Sequence, residues 1–98
     1  MIPHSDRVAS IRYVKVKRRI HWLEQKAERH EYELTLTPAA IISHERSFRM
    51  NSVTDISCRP ATATSWFLYL HTIEGLFAFE TEDAPHTFIS RYQGMKNR

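Results

Sequence analysis

Three sets of side chains in this sequence are of types that do chemistry. The first is a row of cations near the start. Tyr13, Lys15, Lys17, Arg19 and His21 recur at every second position. Residues spaced that way in a strand share one face and repeat every ~6.6 Å along it. Ammonium and guanidinium groups at such intervals meet successive phosphates, and an aromatic ring beside them can stack on a base.

The second set is the six histidines, His4, His21, His30, His44, His71 and His86, together with the lone Cys58. No two histidines fall at the i, i+4 spacing of a helical metal site, and none shares a motif with Cys58. Zinc needs four close protein ligands, or three and a water, so no metal and no cofactor is assigned. Cys58, in phase with Ile56, reads as a small buried hydrophobe and not as an activated thiolate. The third set is the acidic run Glu80-Thr81-Glu82-Asp83. It precedes a helical stretch, where carboxylates favour the positive end of the helix dipole. Helix capping is therefore its expected role, ahead of acid–base catalysis. Two glycines cannot build a phosphate-cradling loop. No constellation supports an enzyme, and no small-molecule substrate is indicated.

The elements that carry these residues form one domain over residues 1–98, since two halves of such a chain would each be too small to bury a core. Hydrophobic residues at 42% and charged residues at 26% are ordinary globular values, and eleven aromatics argue against disorder. The sequence leaves open whether residues 1–9 are ordered or form a disordered N-terminal segment. One cysteine makes no internal disulfide, and the longest apolar run, Trp66 to Leu70, falls far short of the ~20 residues of a spanning helix. The expected location is cytoplasmic, with a peripheral position at the membrane as its variant. The net charge of +3 is uneven: residues 1–31 hold eight Lys/Arg against four Asp/Glu, and the rest hold six against seven.

Alternation of apolar residues predicts about seven strands. Val14, Val16, Ile20 and Trp22, with one miss at Arg18, set one over residues 11–23, with these residues inward and the cationic row outward; Glu24 to Arg29 could add a helical turn. Tyr32, Leu34 and Leu36 set the next, stopped by Pro38, and Ala40 to His44 returns alongside it. Phe48 and Met50 mark a fourth. Val53 to Arg59 is a fifth, with Ile56 and Cys58 inward. The last hairpin joins Trp66–Ile73 to Leu76–Glu80 through Glu74-Gly75, a dipeptide suited to a tight turn because Gly accepts φ > 0. That turn pairs Ile73 with Leu76, Thr72 with Phe77 and Leu70 with Phe79, and puts Leu68, Leu70, Phe77 and Phe79 on the core face. Phe88, Ile89, Tyr92 and Met95 then form a helical stripe over Ala84 to Lys96, with Asp83 as N-cap. The fold class is mainly β, on the border of all-β and α+β.

This order resembles the pleckstrin-homology (PH) superfold, and more narrowly the small PH-like proteins of bacteria. The likeness rests on Leu34-Thr35-Leu36-Thr37-Pro38, on Val53-Thr54-Asp55-Ile56, and on Trp66 to Phe79 followed by the Phe88/Ile89 helix. It covers about residues 10–96. The resemblance implies a partly open antiparallel barrel of about seven strands with one C-terminal capping helix. It also implies a lysine on the first strand and a K/R-x-R pair on the second where phosphoinositides are bound. Lys15 and Lys17 match the first requirement, whereas His30-Glu31-Tyr32-Glu33-Leu34 is acidic where the second should be. Fold alone does not fix function.

Two surfaces follow. Phe67, Tyr69 and Ile73 lie opposite the core face of the last hairpin, and an exposed apolar patch of that kind marks a contact surface. With the groove beside the C-terminal helix, it makes a protein partner, or self-association into a homo-oligomer, the first reading. The second is an anionic surface, phospholipid head groups or nucleic acid, met by Tyr13, Lys15, Lys17 and Arg19. A solvated strand face accounts for the same cations without a ligand.

Overall fold

The computed structural model describes residues 7–21 and 24–96, with the backbone alone for residues 17–21 and 24–26. Seven antiparallel strands form one sheet, and one helix follows them. The strands are β1 (Ala9–His21), β2 (Glu24–Leu36), β3 (Ala40–Ile42), β4 (Ser47–Arg49), β5 (Val53–Pro60), β6 (Trp66–Thr72) and β7 (Gly75–Thr81); the helix α1 is His86–Lys96. Their order across the sheet is β4-β3-β2-β1-β7-β6-β5. Each half of the chain is a meander of neighbours, and β1 joins the halves by bridging to β7 between Val14 and Glu80. The outer strands β4 and β5 do not pair with each other, so the sheet is not closed. Among the described residues, no helix is long and apolar enough to cross a membrane.

Sequence dictates these elements locally. Between β2 and β3, Pro38 cannot donate to a ladder, and Thr37 turns the chain: its N–H and Oγ1 both bond the Ala40 carbonyl, at 2.8 and 3.0 Å. Leu34, Leu36 and Ile41 on either side of that turn are fully buried. Leu68, Leu70 and Phe79 from the last hairpin meet them in the core, as the alternation requires. The helix closes this core with Phe88 and Tyr92. The Tyr92 hydroxyl donates to the Val53 carbonyl at 3.2 Å.

Four expectations need correction. The β6–β7 turn is Ile73-Glu74, not Glu74-Gly75: Leu70 pairs with Phe77, and Leu68 with Phe79. Gly75 follows the turn at φ +135°, a conformation that L side chains rarely adopt. The slip is by two residues, and only an odd slip exchanges faces, so the buried set survives it. Residues Glu24 to Arg29 form strand, not a helical turn, because each is matched to a β1 partner. The helix begins at His86, and the Pro85 carbonyl accepts its first bond, from the Ile89 N–H at 3.0 Å, in place of a cap at Asp83. At the start of the described chain the Val8 N–H bonds the Leu36 carbonyl at 2.8 Å, and Ala9 opens β1. Residues 1–6 of the segment whose order the sequence leaves open lie outside the described residues.

The fourth correction concerns the phase of β1. Ile11 and Tyr13 are buried, at 8% and 1% exposure, while Val16 is 59% exposed. Odd-numbered residues therefore face the core, the reverse of the expectation. Tyr13 has its own reason to be inside. Its ring meets Phe79 edge-on at 4.9 Å, and its hydroxyl accepts the His44 backbone N–H at 2.9 Å. A buried phenol needs such a partner.

Candidate functional site

The first two strands outrun the body of the sheet. β1 and β2 pair over 13 positions each, from Ala9 with Leu36 to His21 with Glu24. Support from other strands is confined to the root: β7 bridges at Val14, and β3 pairs only with Thr35 and Leu36. From Lys15 to His21, and from Glu24 to His30, the described ladder is between β1 and β2 alone. Seven residue pairs make a two-stranded ribbon ~20 Å long at ~3.3 Å per residue. The molecule is correspondingly elongated, with extents of 55 × 32 × 26 Å and a radius of gyration of 14.9 Å; a compact domain of this length would have ~13 Å.

Charge is concentrated on that ribbon. Residues 15–30 hold six Lys/Arg and two Asp/Glu, a net +4; all other residues hold eight and nine, a net −1. The whole excess of the protein thus sits on its extension. Two of the six cations are tied to the body. Lys15 Nζ lies 2.5 Å from Glu45 Oε1, and Arg29 pairs with Glu82 and, at 3.6 Å, with Glu31. The side chains of the other four, Lys17, Arg18, Arg19 and Lys26, lie outside the described residues. Register sets Lys17 opposite Glu28, Arg18 opposite Ala27, and Arg19 directly opposite Lys26. Like charges at directly opposed positions destabilise a strand pair, so the Arg19/Lys26 position is one that strand stability alone would not select. The side chains of Lys17, Arg19 and His21, three of the expected cationic row, lie outside the described residues.

Where the ribbon meets the body, aromatic rings gather. Tyr32 stacks on His44 at 4.1 Å and 18°, and His30 lies nearly parallel to Tyr32 at 6.3 Å. Beside them a cleft of about 270 Å³ opens between Lys15, the Ser43–Arg46 turn and the rings of Phe48, Phe77 and Phe79. The Arg46 guanidinium covers two of those rings, 4.7 Å from Phe48 and 4.6 Å from Phe77, and pairs with Glu74 at 3.1 Å. Tyr13, expected among the ligand contacts, is buried beneath this region and offers no surface.

The last hairpin's outer face is partly self-covered. Phe67 and Tyr69 are half-buried, and Arg59 on β5 is the reason. Its guanidinium stands 5.9 and 5.7 Å from the two ring centres, and its Nε–H donates to the Tyr69 hydroxyl at 2.8 Å. Ile73 is 75% exposed and Leu76 57% exposed at the turn. On the same face lies a contact that sequence spacing did not suggest, Ser57 Oγ to His71 Nε2 at 2.8 Å. Register brings it about, because Ser57 opposes Tyr69 and sits diagonally from His71. Cys58 is half-buried and packs against the core, as its phase with Ile56 implies. Among the described residues, no group of three His, Cys, Asp or Glu side chains is placed to hold a metal ion.

Comparison with protein-family models, curated proteins and solved structures gives no match to this chain.

Proposed function

We propose that this chain is a non-catalytic binding module of PH-like architecture whose β1–β2 ribbon holds phosphate-bearing polyanions. The observation that carries the reading is the charge distribution: net +4 on a two-stranded extension and net −1 on everything else. Strand economy alone accounts poorly for it, since 13-residue strands continue past the last described bridge to a third strand. The seven-strand order with a C-terminal helix supports the PH-like part of the proposal. The lone cysteine fits a cytoplasmic site of action, where nucleic acid and anionic lipid head groups are both within reach.

Retention on heparin against a salt gradient tests this. The protein is expected to elute later than Lys17→Glu/Arg18→Glu/Arg19→Glu, whose ribbon is net negative. Identical elution of the two, with both folded by circular dichroism, overturns the reading.

A second reading rests on Ile73 and Leu76, whose exposure at the β6–β7 turn supports contact with a protein partner or a second copy through the Phe67, Tyr69 and Ile73 face. Sedimentation across a concentration series is expected to show association that Ile73→Asp abolishes. A concentration-independent monomer removes the self-association form of it.

A further inference from the structure

We infer that the polyanion held by the ribbon is duplex DNA, entered through its major groove. This rests on the polyanion reading above and goes beyond it to a ligand class. The first argument is shape. Strands in a ladder lie ~4.8 Å apart, so a ribbon of two strands with its side chains fits the ~12 Å major groove of B-form DNA, which admits such a ribbon. The A-form groove of double-stranded RNA is too deep and narrow to be read in this way. The ribbon from Lys15 to His21 is supported at one end only, and among the described strands no third one flanks it there. A ribbon with no described strand along either edge suits the two phosphate walls of a groove.

The second argument is where the cations stand. By strand phase, Lys17, Arg19 and Lys26 belong to one side of the ribbon, with Glu45-held Lys15 at its base, and Arg18 belongs to the other, beside the Glu82-held Arg29. A flat bilayer surface meets one side of a ribbon, whereas a groove surrounds it. Both strands also contribute, β1 with four cations and β2 with two. The third argument is the opposed pair Arg19 and Lys26. Like charges at directly opposed positions weaken a strand pair, and phosphates would neutralise them. That identifies a position whose residue types serve binding at the expense of stability.

Fluorescence anisotropy of the full chain tests the inference. The probes are a 20-base-pair DNA duplex, double-stranded RNA of the same sequence, the single DNA strand, and phosphatidylserine vesicles by co-sedimentation. Duplex DNA is expected to bind tightest. If the four cations Lys17, Arg18, Arg19 and Lys26 each displace a counterion, affinity falls roughly 10²-fold between 50 and 200 mM salt. Arg19→Gln/Lys26→Gln is expected to raise Tm while weakening duplex binding, a combination that a purely structural role would not produce. Arg91→Gln, on the exposed face of α1, is expected to leave binding unchanged. Equal or tighter binding to RNA, single strand or vesicles overturns the duplex inference and leaves the polyanion reading standing. No ribbon-dependent binding to any probe, heparin included, overturns both.

Discussion

From Ala9 to Val14, β1 lies over the core; from Lys15 to His21, the same strand pairs, among the described residues, with β2 alone. One unbroken register runs through both halves, so backbone geometry does not distinguish them. What differs is what lies beneath. Ile11 and Tyr13 in the root are buried by Leu34, Phe79 and the helix. The next residues of that phase, Lys15, Lys17 and Arg19, continue beyond the core edge and are charged. A strand thus serves as a structural element at one end and as a charged extension at the other. Its pattern of residue types changes where burial stops.

The largest expected contrast compares one substitution from each half. Tyr13→Ala removes a fully buried ring and the acceptor of the His44 N–H. It is expected to cost ~3–5 kcal/mol, the range for large-to-small aromatic changes in cores. Val16→Thr keeps the β-branched shape at an exposed position, and is expected to stay within ~0.5 kcal/mol of the parent. Urea unfolding of the two variants gives both values. A large loss from Val16→Thr would mean that the extension is covered by something, and the division between halves would fail.

That division also explains how far the sequence could be read. The meander, the buried set of the last hairpin and the helical stripe were readable, because each places its apolar residues over one core at a constant period. The phase of β1 was not. Val14, Val16 and Ile20 alternate with one miss at Arg18, in the phase opposite to Ile11 and Tyr13, and alternation does not reveal which stretch of a strand has a core beneath it. The turn at Ile73-Glu74 escaped for a different reason. Gly75 suits either turn placement, and a two-residue slip leaves every side chain on its face. Glu24 to Arg29 has the charged composition of a helix, and cross-strand pairing with β1 overrode that local preference. Of the cationic row, the residue types were readable, but not that they stand on an extension: only the ladder shows where β7 and β3 stop.

A smaller effect probes how the root is sealed. Tyr92→Phe keeps the ring and deletes the hydroxyl that donates to the Val53 carbonyl, an expected loss of about 1 kcal/mol. The pH dependence carries a sign. Burial first, and the negative charge of Asp55 second, hold the Tyr92 phenol above its ordinary value of 10.0. The folded state therefore keeps this proton to higher pH than the unfolded chain does. The group's contribution is complete below about pH 10 and is lost as pH rises from there towards the raised value. Thermal melts between pH 8 and 11 are expected to show a steeper alkaline decline for the parent than for Tyr92→Phe. Equal slopes would mean that the helix closes the root through its apolar stripe alone.

The smallest expected effect lies at the border between the halves. Lys15 is the first residue past the β7 bridge, and its ammonium group is held by Glu45 from the β3–β4 turn. Both side chains are well exposed, at 38% and 59%, so the pair contributes below about 1 kcal/mol to stability. Glu45→Gln is accordingly expected to leave the unfolding midpoint nearly unchanged. Its effect on binding has a definite direction. The substitution removes a negative charge beside the base of the ribbon and releases Lys15 to meet phosphate, so heparin elution is expected to move to slightly higher salt. An unchanged elution would assign Lys15 to the root and move the start of the binding ribbon past Val16, to the run of Lys17, Arg18 and Arg19.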